Sequence, residues 1–209
     1  MEQHHMIYYP EDITGLPFVE DLCWKLLSEG VSNRKSAMHQ VVVSTVVGDV
    51  SHMRTVVLRR VDINDKKLYF HTDIRSAKVN DLESTGKMSW LTYDQSIRTQ
   101  IRLSGPTRIH HKNDICVSHW EKTGHHSRRY YMLQTVPASV LHGPSTGLTE
   151  ALRDFDYSLE ESEIGFEHFA VVETSATWME WYFTHNTGNL RASFDYSDSS
   201  LTASRWLAP

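Results

Sequence analysis

The stretch "RTVVLRRVD", residues 54–62, sets an apolar centre between charged ends. Val56, Val57 and Leu58 carry no polar side-chain atom and suit a buried strand, whereas Arg54 precedes them and Arg59 and Arg60 follow. Runs of strand length flank it. "HQVVVSTVV" (39–47) ends in the turn signal Gly48-Asp49, and "VSHMRTVVLRRVD" (50–62) leads through "INDKK" into "LYFHTD" (68–73). That order predicts an antiparallel meander. Fixed positive charges at the ends of its central strand then need either solvent or an anionic ligand.

Working outward, "PFVEDLCWKLLSEGV" places Phe18, Leu22 and Leu26, with Trp24 and Leu27 close by, at helical spacing, and Gly30 is the expected stop. "SAKVNDLEST" predicts a second helix with Ser76 at its N-cap. "KMSWLTYD" (87–94) and "RTQIRLSGPTRIHH" (98–111) resume the strand pattern. In the latter, Gln100, Arg102 and Ser104 alternate with Ile101 and Leu103, and Gly105-Pro106 suggests a bulge or bend. Residues 112–135 read as helical, and 140–165 as a polar surface insertion holding one short helix. The tail, "FAVVETSATWMEWYF", "NLRASFDY" and "LTASRWLAP", returns to strands. Strands at both ends with few, short helices predict a mainly β chain, a barrel with helical insertions, rather than alternating βαβ units.

The 209 residues are 40% hydrophobic and 22% charged, enough to bury a core without metal or disulfide staples. A net charge of -5, from 21 basic and 26 acidic residues, argues against a nucleic-acid or anionic-membrane surface. Cys23 and Cys116 show neither metal-ligand spacing nor a disulfide framework, which fits a reducing compartment. The first 18 residues do not have the pattern of a secretory signal, and no apolar run reaches the ~20 residues of a membrane helix. A cytoplasmic location is the expectation.

Arg54, Thr72, Ser76 and Lys78 form a candidate anion-binding set, with Arg59, Arg60 and Arg75 nearby. Adjacent strands can bring them to one sheet edge, and a helix starting after Ser76 would add its N-terminal dipole. The competing reading is a set of solvated surface charges. The 13 histidines include the pairs His4-His5, His110-His111 and His125-His126, but neighbours on a strand face opposite ways. No metal site is expected, and no serine sits in a nucleophile-elbow pattern. Trp178, Trp181, Tyr182 and Trp206 read as core or interface packing, although an aromatic can also wall a planar cofactor.

Together these segments resemble the pyridoxamine 5'-phosphate oxidase family, whose members are FMN-binding split β-barrels of antiparallel Greek-key type. "RTVVLRRVD" resembles the family's R-x-V-L-L-K strand, "LYFHTDIRSAK" its F-F-T-N-x-x-S-R-K segment, "TQIRLSG" its R-Q-V-x-x-x-G strand, and "WLAP" its closing R-L-A-P. The resemblance implies one split-barrel domain over 1–209, with 1–16 as an N-terminal extension. It implies a homodimer with FMN at the subunit interface. Arg54, Thr72, Ser76 and Lys78 would hold the phosphate, with His71 in the same segment and Arg75 standing in for the family arginine that Ala77 replaces. The backbone of Thr55, Val56, Val57 and Leu58 would border the ring, Gln100 would hydrogen-bond it, and Trp181 or Tyr182 would flank it.

The vitamin B6 half of the family's site is altered. The substrate lysine is Arg59, and Asn189, Arg191 and Ser193 replace the arginine, histidine and arginine of R-L-H-D-R. Of the family's tyrosine, arginine and serine set, Ser127 is kept. The chain therefore resembles the divergent, oxidase-related branch. The expected function is a flavin-dependent oxidoreductase acting on a small molecule, with Arg59, Ser127 and Arg191 toward the substrate. The alternatives are an NAD(P)H-dependent FMN reductase and a non-catalytic binder of flavin or haem.

Overall fold

Strands β1 (Gln40–Val47), β2 (Val50–Asp62) and β3 (Lys67–Asp73) form the expected meander in the computed structural model, which describes residues 13–209. His4, His5 and residues 1–12 of the expected N-terminal extension lie outside the described residues. β1 and β2 pair antiparallel without a slip, from Gln40 opposite Val57 to Val47 opposite Val50. The next strands are β4 (Lys87–Asp94), β5 (Thr99–His111), β6 (Phe169–Ser175), β7 (Trp178–Phe183), β8 (Leu190–Ser197) and β9 (Ser200–Leu207). Their order is β4-β1-β2-β3-β6-β5-β7-β8-β9, and a further β4–β5 pairing closes the first six into an antiparallel barrel. Closure removes the open edges of those six strands, while β7 and β8 carry the sheet on from β5 to β9, the last strand in the order.

The chain divides into two compact units: Met1–Phe70, Thr85–Thr107 and Glu173–Pro209 make the first, and His71–Ser84 with Arg108–Val172 the second. In the first unit, period-two alternation assigns each strand residue to a face. Val41, Val43, Trp90, Ile101, Leu103, Met179, Trp181 and Phe194 are buried on the inner face. The outer face carries cross-strand rows fixed by register. Tyr93, Gln100, Tyr182, Arg191 and Leu207 form one; Leu91, Arg102, Glu180, Ser193 and Arg205 form the next.

Helix α1 (Leu16–Ser32) packs Val19, Cys23 and Leu27 into this unit's core. Gly30, expected as its stop, lies inside the helix. A Cβ there would sit 2.7 Å from the backbone of Met38, so glycine serves close approach rather than termination. Gly105-Pro106 is likewise no bulge, because β5 pairs with β4 in unbroken register through both residues. A Cβ on Gly105 would fall 1.8 Å from the Ser175 carbonyl oxygen. The C-terminal run "FAVVETSATWMEWYF" is two strands, interrupted at Ala176 and Thr177.

In the second unit, residues 112–135 are helical in pieces: α3 (Asp114–Glu121), α4 (His125–Arg128) and a 3₁₀ turn, Arg129–Tyr131. Asn113 caps α3 by accepting from the Cys116 N–H at 3.1 Å. The buried Arg128 donates to the carbonyls of Thr123 and Trp120 and pairs with Glu163, which replaces the water its guanidinium has lost. The insertion holds α5 (Glu150–Asp154) and a 3₁₀ segment, Glu161–Glu167. Phe155, at φ 61°, turns back beneath the ring of His126 at 4.1 Å.

Candidate functional site

The second unit holds a compact set of donors where β3 runs into helix α2 (Ala77–Thr85). The Lys78 ammonium donates to the Thr72 hydroxyl at 2.9 Å and to the Ser76 hydroxyl at 3.0 Å, and the two hydroxyls lie 3.1 Å apart. Both hydroxyl residues are buried. An ammonium, two hydroxyls and the first turn of a helix make a donor set suited to a phosphate monoester. Chain order explains it: Thr72 is the penultimate residue of β3, Ile74 and Arg75 make the turn, and Ser76 and Lys78 lie at the start of the helix.

Arg75 is committed elsewhere in this unit. Its Nη2 donates to Asp73 Oδ2 at 2.7 Å and to the Leu133 carbonyl at 2.8 Å, and its Nη1 to the Gln134 carbonyl at 3.2 Å. The hydrogen bonds to Asp73 push the Arg75 pKa above its ordinary value. His71 points away from Thr72, as strand alternation requires; its Nε2 meets His119 Nδ1 at 2.9 Å and its ring packs on Phe169. Ser127 is half-buried in α4, its N–H bonded to the Gly124 carbonyl.

In the first unit, Arg54 stands opposite Val43 and donates to the buried Thr45 hydroxyl at 2.7 Å. Arg54, Val56 and Leu58 share one face of β2, Thr55 and Val57 the other. Arg59 occupies a bulge: Leu58 pairs with Phe70 and Arg60 with Tyr69, so Arg59 has no partner residue on β3. A bulge re-aims the extra side chain, and Arg59 is exposed there. Arg60 pairs with Asp62 at 2.9 Å and lies 5.0 Å from the Tyr69 ring centre. Hydrogen bonds, foremost from the Asp65 N–H, hold the Asp62 carboxyl below its ordinary value.

The outer face of the same unit gathers Gln100, Tyr182 and Arg191 into one row. Gln100 and Arg102 line a shallow cavity of about 290 Å³ with Val42, Met53 and Leu91. Trp181 is on the opposite, inner face, 0% exposed and stacked on Phe183 at 5.7 Å. Of the two aromatics expected beside a cofactor, Tyr182 is the one on the face with Gln100. Asn189 spends its amide on the Tyr182 hydroxyl and the His185 N–H, both at 3.0 Å.

Sequence reading passed over Glu180. It is 4% exposed and accepts from Arg102 at 3.1 Å and Arg191 at 2.8 Å. The available signal was a lone acid among the apolar residues of "WMEWYF", at the position that alternation puts beside two arginines. Among the described residues, no group of three or more His, Cys, Asp or Glu is arranged to hold a metal, and no helix is long and apolar enough to cross a membrane.

With these positions in view, the comparison with known families is specific. Residues 22–111 match the family model of the pyridoxamine 5'-phosphate oxidase FMN-binding domain. This segment is similar to the pyridoxamine 5'-phosphate oxidase FMN-binding domains. It contains Arg54, Thr72, Ser76, Lys78 and Gln100, while Tyr182 and Arg191 lie beyond it. The fold extends further. A pyridoxamine 5'-phosphate oxidase-related, FMN-binding protein from Nostoc punctiforme superposes with a TM-score of 0.73 at 16% identity, covering 94% of this chain and 100% of its own. PhzG from Burkholderia lata, solved with tetrahydrophenazine-1-carboxylic acid, gives 0.67 at 18% identity over 97% of this chain and 98% of its own. At these identities the likeness is one of split-barrel fold. No curated protein matches the chain.

Proposed function

We propose that this chain binds FMN and acts as a flavin-dependent oxidoreductase on a small molecule, working as a homodimer. The observation that carries the reading is the Lys78–Thr72–Ser76 donor set at the start of α2, inside the segment matching an FMN-binding domain family. A lysine shared by two buried hydroxyls, with the positive end of a helix beside them, favours a doubly charged phosphate group over water. In the first unit, the β2 backbone from Thr55 to Leu58 would border the ring, with Arg54 on the same strand. Gln100 supplies an amide for the ring's polar edge, and Tyr182, opposite it in register, a flat wall. Bound FMN would supply the hydride or electron transfer; the protein binds it, orients it and excludes water.

The second copy would cover the outer face of the first unit, where Met53 is 68% exposed beside the half-buried Val42 and the exposed Leu91. Asn189, Arg191 and Ser193 in place of the family's R-L-H-D-R side chains favour a substrate other than pyridoxamine phosphate.

Purified protein should carry flavin absorbance or take up FMN with micromolar or tighter affinity. Lys78→Ala should weaken that affinity by about tenfold or more, the loss of a charge-assisted contact to phosphate. Protein without FMN affinity sinks the proposal. Anaerobic stopped-flow bleaching by NADH or NADPH would identify a reductase; turnover of pyridoxamine phosphate would identify an oxidase. Tight binding with slow reduction by every donor would leave a binding protein.

A further inference from the structure

Within the first unit, the outer row of Arg102, Glu180 and Ser193 lies beside the row of Gln100, Tyr182 and Arg191. We propose that Glu180 is a positioning residue and that the Arg191 it holds selects a flat ligand bearing a carboxylate; the inference rests on the flavin-site reading above.

The charge count comes first. Glu180 is a buried carboxylate, and it neutralises its own burial by accepting from Arg102 Nη1 on one oxygen and Arg191 Nη2 on the other. Two guanidinium groups against one carboxylate leave a single positive charge. The next arginine on this face, Arg205, does not add to it, because it is paired with Asp195 at 2.6 Å. The surplus of one matches a monoanion. A phosphate dianion would overshoot it beside a carboxylate that cannot reach solvent.

Geometry then separates the two arginines. Arg102 is the more exposed and lies 5.3 Å from the Trp178 ring centre. Arg191 is one-third exposed, 6.0 Å from the ring centre of Tyr182, whose hydroxyl is fixed by Asn189. Its Nε is buried with no hydrogen-bond partner, a donor left unused. A guanidinium held through one Nη, with its Nε buried, is restrained from following a ligand, so it offers its remaining Nη N–H groups in one plane. That fork matches a carboxylate bidentately, and a flat ligand held there would lie beside the flavin that Tyr182 walls. Lysine could supply the charge but not the plane.

The test uses the full chain with two probes of one shape, benzoate and the neutral benzamide. Binding is followed by calorimetry with and without FMN, and by perturbation of the flavin spectrum in the loaded protein. Benzoate should bind at least about tenfold more tightly than benzamide, the preference expected of a charge-assisted contact. Arg191→Gln should abolish that preference. Glu180→Gln, which keeps an acceptor but releases the clamp, should reduce it about threefold or more, and Arg191→Lys should restore it only in part. Thermal unfolding confirms that each variant is folded. Equal binding of the two probes to the unaltered protein, or an undiminished preference in Arg191→Gln, overturns the inference. Protein that discriminates the probes but takes up no FMN would instead overturn the flavin reading and leave the carboxylate site standing.

Discussion

At Gly105 the requirement is for the absence of a single carbon atom. A Cβ placed 1.8 Å from the Ser175 oxygen cannot be relieved by a side-chain rotation, since the obstacle is backbone. Gly105→Ala should therefore lower stability by about 3 kcal/mol, read as a fall in the urea midpoint at unchanged slope. Cys23 and Cys116 make the complementary case. Both are buried, and burial pushes both thiols above their ordinary range, with Glu20 raising Cys23 further. Because the folded state holds these protons, ionisation favours unfolding as pH rises beyond the ordinary thiol range of about 8.5. Neither thiol should react with a thiol-specific chromophore at pH 8 until denaturant is added; rapid labelling of the native protein would contradict this. At this scale the sequence supplied residue types, as with Lys78, Thr72 and Ser76. It could not supply the commitment of Arg75 to Asp73, since that depends on where two side chains point.

Elements were legible where periodicity is strict and less so where backbones touch. The meander β1–β3 follows from alternation and turn residues. The bulge at Arg59 does not, because inserting one unpaired residue leaves no mark in hydrophobicity. Gly30 and Gly105 were read as punctuation and are instead points of close backbone approach, and the one at Gly105 is to a distant strand that a local window cannot contain. The helical stretch after β5 breaks into α3, α4 and a 3₁₀ turn, and the cap at Asn113 fixes where it starts. Asn113→Ala removes the acceptor of the Cys116 N–H and should cost about 1 kcal/mol, measurable as a lower thermal midpoint. Asn113→Asp, which keeps the acceptor, should restore most of it.

For the whole molecule, the proposed dimer is the feature with the largest consequence. Sedimentation velocity should show a species of twice the chain mass. Met53→Glu with Leu91→Glu, placing charges on the exposed outer face, should shift it to monomer and raise apparent FMN dissociation at least about tenfold, since a site shared between subunits is lost with the contact. A monomer in the unaltered protein would refute the shared site. The sequence by itself determined the strand alternation, the mainly β class and the residue types of the phosphate-binding segment. These are set by periodicity and by chemistry confined to a few consecutive positions. Only the tertiary structure decided that Trp181 faces the core while Tyr182 joins Gln100, and that Glu180 clamps Arg102 and Arg191 across three strands. Which residues of distant strands stand opposite one another is fixed by register, and register is settled by the packing of the whole sheet rather than by any strand alone.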